Sequence, residues 1–260
     1  FTDIPEDMVF PTGSDAAVRF LDIRTINGPY TPTDQFFAIQ HYGQPEIDPA
    51  TYRLKISGLV DSETELSLED LRARPSVELA AGYECSGNSG RRIHGLASCG
   101  VWRGVPLRDV LSDVGVQPNG KEVVLFGSDR GEEQVDFRGT DYAVEQQFGR
   151  SITIDNAMGS GPLLAYELSG HPLTRHKGSP LRLIMPGWYG VANVKWLENI
   201  HVQEDRYVGK FQARWYRSLR GELIDGDLKW KETEVSRMQL KSVIARVTRT
   251  GNQNEILGFV

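Results

Sequence analysis

Apolar and polar positions alternate most cleanly over Thr51-Tyr52-Arg53-Leu54-Lys55-Ile56-Ser57-Gly58, where Tyr52, Leu54 and Ile56 share one face of a predicted strand. Further strand-like runs lie at Val77 to Ala81, Glu122 to Gly127, Leu163 to Leu168, Pro180 to Met185, Val194 to Val202, Val243 to Val247 and Ile256 to Val260. Gln35 to Tyr42 reads as extended. Two helices interrupt the strands. Ser67 predicts an N-cap with Asp70 at the third helical position, and Pro75 closes that short helix. Pro106 to Gly115 places proline in the first turn of a second helix and glycine past its end. Residues 128–160 are polar and glycine-rich and show neither period.

Many short strands, few short helices and no βαβ rhythm predict an α+β fold. Four regions follow from the punctuation. Residues 1–34 are irregular, broken by Pro5, Pro11, Gly13, Gly28-Pro29 and Pro32. Residues 35–205 carry the main body. Residues 206–238 combine high charge with Trp215, Tyr216 and Trp230, and read as a connecting arm over the surface. Residues 239–260 hold two strands, which are not stable alone. They either pair with the main body or open a further β domain that is cut short.

Composition then narrows the classes. With 39% hydrophobic and 25% charged residues in 260, the chain has the makeup of a globular protein with a large core. A net charge of -6 leaves no electrostatic footprint for nucleic acid. No apolar run reaches the roughly 18 residues of a spanning helix. The chain begins at Phe1 rather than Met, which is compatible with removal of an export signal and a periplasmic location, with a cytoplasmic one as the alternative.

The chemistry converges on Gly82-Tyr83-Glu84-Cys85-Ser86-Gly87-Asn88-Ser89-Gly90-Arg91-Arg92, where a strand opens into a small-residue loop. Neighbouring arginines favour a thiolate at Cys85, and a thiolate suits a soft or high-valent metal; a buried structural cysteine is the alternative. Cys85 and Cys99 are no disulfide framework, and their spacing with His94 matches no zinc pattern. A second set, Arg175, His176, Lys177, Arg182 and Lys195, is interleaved with Gly178, Gly187, Gly190 and Asn193. Cations among tight glycine turns suit a phosphate, or equally a solvated basic edge. His41, Asp129 and Tyr166 stand singly near apolar runs.

Together these residues carry a resemblance. Phe36-Phe37, His41 and Ile47-Asp48-Pro49-Ala50-Thr51-Tyr52-Arg53-Leu54 are similar to the opening of the sulfite oxidase family of molybdenum enzymes. Glu84-Cys85-Ser86-Gly87-Asn88 with Trp102-Arg103-Gly104-Val105-Pro106-Leu107 resembles its cysteine loop. Leu164-Ala165-Tyr166-Glu167, Gly178-Ser179-Pro180-Leu181-Arg182-Leu183, Pro186-Gly187-Trp188-Tyr189-Gly190 and Val194-Lys195-Trp196-Leu197 follow in family order. The resemblance implies a mixed α+β molybdopterin-binding domain, followed in the family by a dimerising β-sandwich domain that residues 239–260 would begin. It implies molybdenum on one molybdopterin, with Cys85 as metal ligand and Tyr166 beside the transferring oxygen. Phe37, His41, Asp129, Lys177, Arg182, Asn193 and Lys195 would hold the pterin and its phosphate.

Two departures stand out. Ile39 occupies the position of the family's substrate-binding arginine, and Lys177 that of a histidine, with His176 one residue earlier. The implied reaction is oxygen-atom transfer, foremost the oxidation of sulfite or a related reduced sulfur compound. The alternatives are reduction of an S-oxide or N-oxide at the same metal, or a cofactor-free binding protein on the same fold. No haem attachment motif is present in these residues, so a separate carrier such as a cytochrome is the expected redox partner, and a homodimer is possible where the further domain is present.

Overall fold

The computed structural model describes residues 18–89 and 94–259. β1 (Val18–Arg19) pairs with β2 (Ala38–Ile39), the only strand within the expected extended segment 35–42. β3 (Arg53–Gly58) and β4 (Thr64–Ser67) precede α1 (Leu68–Arg72), whose start is the capping box expected at Ser67 and Asp70. β5 (Val77–Glu84) and β6 (Ala97–Pro106) flank the cysteine loop. α2 (Leu107–Val114) buries Leu107, Val110, Leu111 and Val114, one stripe at helical spacing.

β7 (Glu122–Phe137) and β8 (Thr140–Thr153) form a long hairpin through the stretch that shows no period in sequence. α3 (Ile154–Ala157) leads to β9 (Leu163–Leu168), β10 (His171–Pro172), β11 (Arg182–Ile184) and β12 (Leu197–Gln203). One sheet runs β10-β9-β6-β5 with β11 also on β9, and another runs β4-β3-β12-β7-β8. Only β3 and β12 pair in parallel among strands of that second sheet. The fold is thus mixed, sheet-rich and poor in helix, as expected.

Strand alternation sorts residues into two cores. Leu54, Ile56, Val123, Leu125, Leu164 and Leu183 join α2 in a core shared by both sheets. Phe36, Phe37, Tyr83, Trp102, Ala165 and Ile184 form a second, on the opposite face of β9 and β11. The cavity described below opens beside this second core.

The arm expected over the surface is anchored more deeply. Phe211 and Gln212 are buried in a helical turn, Lys210–Arg214, and Arg150 donates to the carbonyls of Phe211 (2.5 Å) and Val235 (2.7 Å). β13 (Arg217–Ile224) and β14 (Asp227–Glu234) then pair as a separate hairpin, as do β15 (Val243–Thr250) and β16 (Gln253–Phe259). No helix of the described residues is long and apolar enough to cross a membrane.

Candidate active site

Cys85 sits one residue beyond β5. The β5–β6 ladder runs to the Glu84–Ala97 pair, and the Cys85 amide donates to the Leu96 carbonyl at 2.9 Å, so the strand fixes the cysteine's backbone. A tight turn closes when the Asn88 amide donates to the Cys85 carbonyl (2.8 Å), and the Gly87 amide lies 3.5 Å from Sγ. The Asn88 side chain bonds Glu84, the His94 carbonyl and the Leu96 amide at 3.0–3.1 Å, which pins the loop internally. Arg91 and Arg92 lie outside the described residues. Neither cysteine is in a disulfide. Burial raises the pKa of Cys99, a half-buried residue of β6 that does not line the cavity.

One cavity collects the expected residues. Phe37, His41, Cys85, Asp129, Lys177, Arg182, Asn193 and Lys195 all line it, with Ile39, Gln40, Tyr83, Phe148, His176 and Tyr216. The space between these residues is about 670 Å³, open mouth included. Its elements are distant in sequence. β2 and the residues after it supply Ile39 to His41, the end of β5 supplies Tyr83 and Cys85, and β7 supplies Asp129. The turn before β11 supplies His176 and Lys177, and the connection before β12 supplies Asn193 and Lys195.

Arg182 braces this floor. Its guanidinium lies 5.3 Å from the Tyr83 ring centre and 5.1 Å from that of Trp102, and donates to the carbonyls of Lys177 and Asn193 at 3.0 Å. Lys195 Nζ reaches Gln40 Oε1 and the His176 carbonyl at 3.2 Å and rests 4.2 Å from the Trp196 ring. Lys177 Nζ donates to the Thr33 carbonyl. Asn193 spends its side chain within the chain, accepting from the Met185 amide (2.8 Å) and donating to the Tyr189 carbonyl (3.2 Å). Asn193 therefore shapes the cradle more than it reaches into it. At Gly178 the backbone has φ +95°, and a Cβ would come within 2.9 Å of Lys195 Cβ. Only glycine allows the lysine through.

The electrostatics are those of a cationic pocket waiting for charge. Burial, with Arg182 next, depresses the Lys195 pKa well below its ordinary value, and burial with Arg19 brings Lys177 to about 8. Burial, then Lys210 and Lys195, lowers His41 to about 4. Burial, then Lys177 and Arg19, lowers His176 to about 4. Asp129 rises to about 6 through burial, against the pull of Lys195. Two buried polar atoms of the wall, Asp129 Oδ1 and Arg182 Nε, have no hydrogen-bond partner. Orphaned buried polar atoms call for a missing partner.

That set fits a molybdenum pterin. Among the described residues no group of three His, Cys, Asp or Glu is placed to hold a metal, so a metal at Cys85 must bring most of its ligands with it. A pterin dithiolene does so, and the cluster of Lys177, Arg182 and Lys195 suits its phosphate.

Tyr166 is not brought to this cavity. On β9 the neighbour Ala165 pairs with Arg182 and packs in the Phe36–Trp102 core, so alternation turns Tyr166 to the opposite face. There it is 4% exposed in the shared core, with the Arg72 guanidinium 5.4 Å from its ring centre. The expected place beside the transferring oxygen is not the one it occupies. Phe148 and Tyr216 line the cavity although nothing in the sequence marks them as site residues. Tyr216 reaches in from the arm, its hydroxyl 2.8 Å from His41 Nε2, and Phe148 stacks 5.8 Å from the same imidazole. Neither belongs to a motif, and only a charge-rich arm and an aperiodic stretch surround them.

A stability prediction follows for the cofactor-free chain. A histidine whose folded pKa is depressed contributes stability above pH 6.5 that is lost as pH falls toward 4, because the unfolded chain takes the proton first. His41 and His176 both act this way. Asp129 opposes them, since the folded state takes its proton near pH 6 and the unfolded chain only near 3.8. With about 1 kcal/mol per histidine after solvent screening, the two outweigh the single carboxylate. After the Asp129 offset the net loss is about 1 kcal/mol, so the melting temperature should drop by about 2–4 °C between pH 6.5 and 4.5, and His41→Phe should flatten that drop. A flat profile in the parent chain would refute the burial of both rings.

Comparison with known proteins places these features in company. Residues 41–211 match the family model described as "oxidoreductase molybdopterin binding domain". Mitochondrial sulfite oxidase of Macaca fascicularis is 35% identical over 206 residues, 73% of this chain and 36% of that protein. The NADH nitrate reductase of Ulva prolifera is 29% identical over 202 residues, 72% of this chain and 22% of that protein. The structure of the sulfane dehydrogenase SoxCD from Paracoccus pantotrophus superimposes with a TM-score of 0.73 at 27% identity, covering 93% of this chain and 59% of that one. The chain spans about a third of the oxidase's length.

Proposed function

This chain belongs to the sulfite oxidase family of molybdopterin-binding oxidoreductases, and from that premise we propose that it transfers an oxygen atom between water and a small substrate, oxidising sulfite or a related reduced sulfur compound and passing the electrons to a separate carrier such as a small cytochrome. The observation that carries the reading is the union, in one cavity, of the Cys85 thiol with the cations Lys177, Arg182 and Lys195.

When bound, the molybdenum pterin supplies the two-electron oxygen-atom chemistry, and the protein supplies binding, orientation and electrostatics. Cys85 offers the soft ligand on a backbone fixed by Leu96 and Asn88. Lys177, Arg182 and Lys195 would hold the phosphate, and Asp129 would accept a pterin N–H at its orphaned oxygen. His41, neutral above about pH 4 and bonded to Tyr216, offers the pocket a hydrogen-bonding ring without a charge. Phe37, Ile39, Tyr83 and Phe148 give the cavity an apolar stretch of wall.

That wall also favours a second reading. Ile39 lies in the cavity where the family's pattern has a cation, so a neutral S-oxide or N-oxide, bound for reduction, would meet no unpaired charge there. Equimolar molybdenum is the first test, because its absence would leave only a binding protein on this fold. Sulfite oxidation coupled to a c-type cytochrome, set against viologen-driven sulfoxide reduction, then decides the direction. Ile39→Arg should raise sulfite kcat/KM by about tenfold or more, the worth of one charged hydrogen bond. Low-micromolar KM for sulfite in the parent chain would show that another cation serves the pocket.

A further inference from the structure

The segment following β14 lies outside the matched domain, yet it grips the cysteine loop. Lys241 Nζ is 2.7 Å from Glu84 Oε2 and 3.4 Å from the Asn88 carbonyl. Glu84 is the residue before Cys85, its side chain only 12% exposed, and the same Oε2 accepts from Asn88 Nδ2 at 3.1 Å. Asn88 in turn closes the Cys85 turn through its amide. Lys241 is thus the outer member of a network with the cysteine backbone at its centre.

The segment is held in place by more than this ion pair. The Tyr189 amide donates to the Ser236 carbonyl and the Met238 amide to the Gly187 carbonyl, both at 2.9 Å, while Met238 packs against the Phe36–Trp102 core. Gly190 lines the cavity, and a Cβ on it would lie 3.3 Å from the Glu84 carbonyl. The cavity's edge, the cysteine loop and the segment at 236–241 are therefore packed as one unit. Without Lys241 the largely buried carboxylate of Glu84 would keep the neutral Asn88 donor but lose its cation, which favours a looser loop that admits water to it.

We propose that Lys241 is a positioning residue for Cys85. Resting on the reading above, it locks the Glu84–Asn88 turn so that Sγ is held for the metal, and the part of the chain beyond the family domain thereby takes part in cofactor retention. The role acts through Glu84 and Asn88 and does not require contact with substrate.

The test compares Lys241→Met, which keeps the stem and removes the charge, with Lys241→Arg, which restores a donor. In the cofactor-free chain, Lys241→Met should raise amide hydrogen exchange over Glu84 to Asn88 by about tenfold or more, with β3 and β12 unchanged. In a Cys99→Ser background it should also speed alkylation of Cys85 by iodoacetamide. In the loaded protein, molybdenum content after dialysis should fall by half or more, and Lys241→Arg should restore all three properties. Unchanged exchange and alkylation in Lys241→Met would overturn the proposal, as would failure of arginine to restore them. If Lys241→Met does not fold, Lys241→Gln, with a neutral donor, must show the same loop-specific exchange. A parent chain without molybdenum would defeat the functional reading alone, since exchange and alkylation are read without cofactor.

Discussion

Cys85→Ser is expected to yield a folded chain that retains little molybdenum and turns over about a thousandfold more slowly or worse, a loss of about 4 kcal/mol of transition-state stabilisation. The substitution is nearly isosteric, and the backbone bonds that form the turn, from Cys85 to Leu96 and from Asn88 to Cys85, do not involve sulfur. What changes is the donor. A hydroxyl is hard and stays protonated where a thiol ionises, so it cannot serve a high-valent, sulfur-preferring metal. Cys99→Ser provides the contrast. That residue lies on β6 outside the cavity, where burial raises its thiol pKa, and metal content and turnover should be preserved. The pair is read by molybdenum analysis and steady-state rate. Wild-type activity in Cys85→Ser, or metal loss in Cys99→Ser alone, would show that the wrong sulfur had been assigned.

Why Cys85 is legible in the sequence, and Tyr166 is not, comes down to what each signal encodes. A strand that ends in a small-residue loop announces where backbone becomes available, and that signal is local. The helix of residues 68–72 and its capping box are local in the same way, as is the stripe on α2. A side chain's facing on a central strand depends instead on register with partners far along the chain. Tyr166 and Arg182 differ in facing because Arg182 pairs with Ala165, one residue from Tyr166, which no motif states. The β7–β8 hairpin escapes for a third reason. Residues 130–137 and 140–147 extend past the last pairing of β12, so neither face acquires an apolar period. Phe148, just beyond that overhang on β8, and Tyr216, in the arm before β13, reach the cavity without an apolar period of their own. Both are placed by contact with Phe211 and His41, and no spacing rule anticipates that.

Lys195→Met should move two properties in opposite directions. In the cofactor-free chain Lys195 is costly. Burial and the neighbouring Arg182 disfavour its charged form, and it donates to one amide oxygen and one carbonyl, each at a long 3.2 Å. Methionine keeps most of the stem against Trp196 and removes the charge, so the cofactor-free protein should melt higher, by about 2–4 °C for each kcal/mol released. The loaded protein should behave in the reverse way. A phosphate in this cradle would lose one charge-assisted contact worth about 1.5–3 kcal/mol, which weakens cofactor binding by about 10- to 150-fold. Adding Arg182→Ala should deepen the cofactor loss. That second change also strips donors from the carbonyls of Lys177 and Asn193, so its stability effect is destabilising and the single lysine variant is the cleaner probe. Calorimetry without cofactor and metal retention with it separate the two terms. A purely structural lysine would lose both, and a lysine remote from the phosphate would gain stability while retaining its molybdenum. Only a cation kept at a cost to the empty fold, because the cofactor needs it, gives a higher melting point together with a weaker grip.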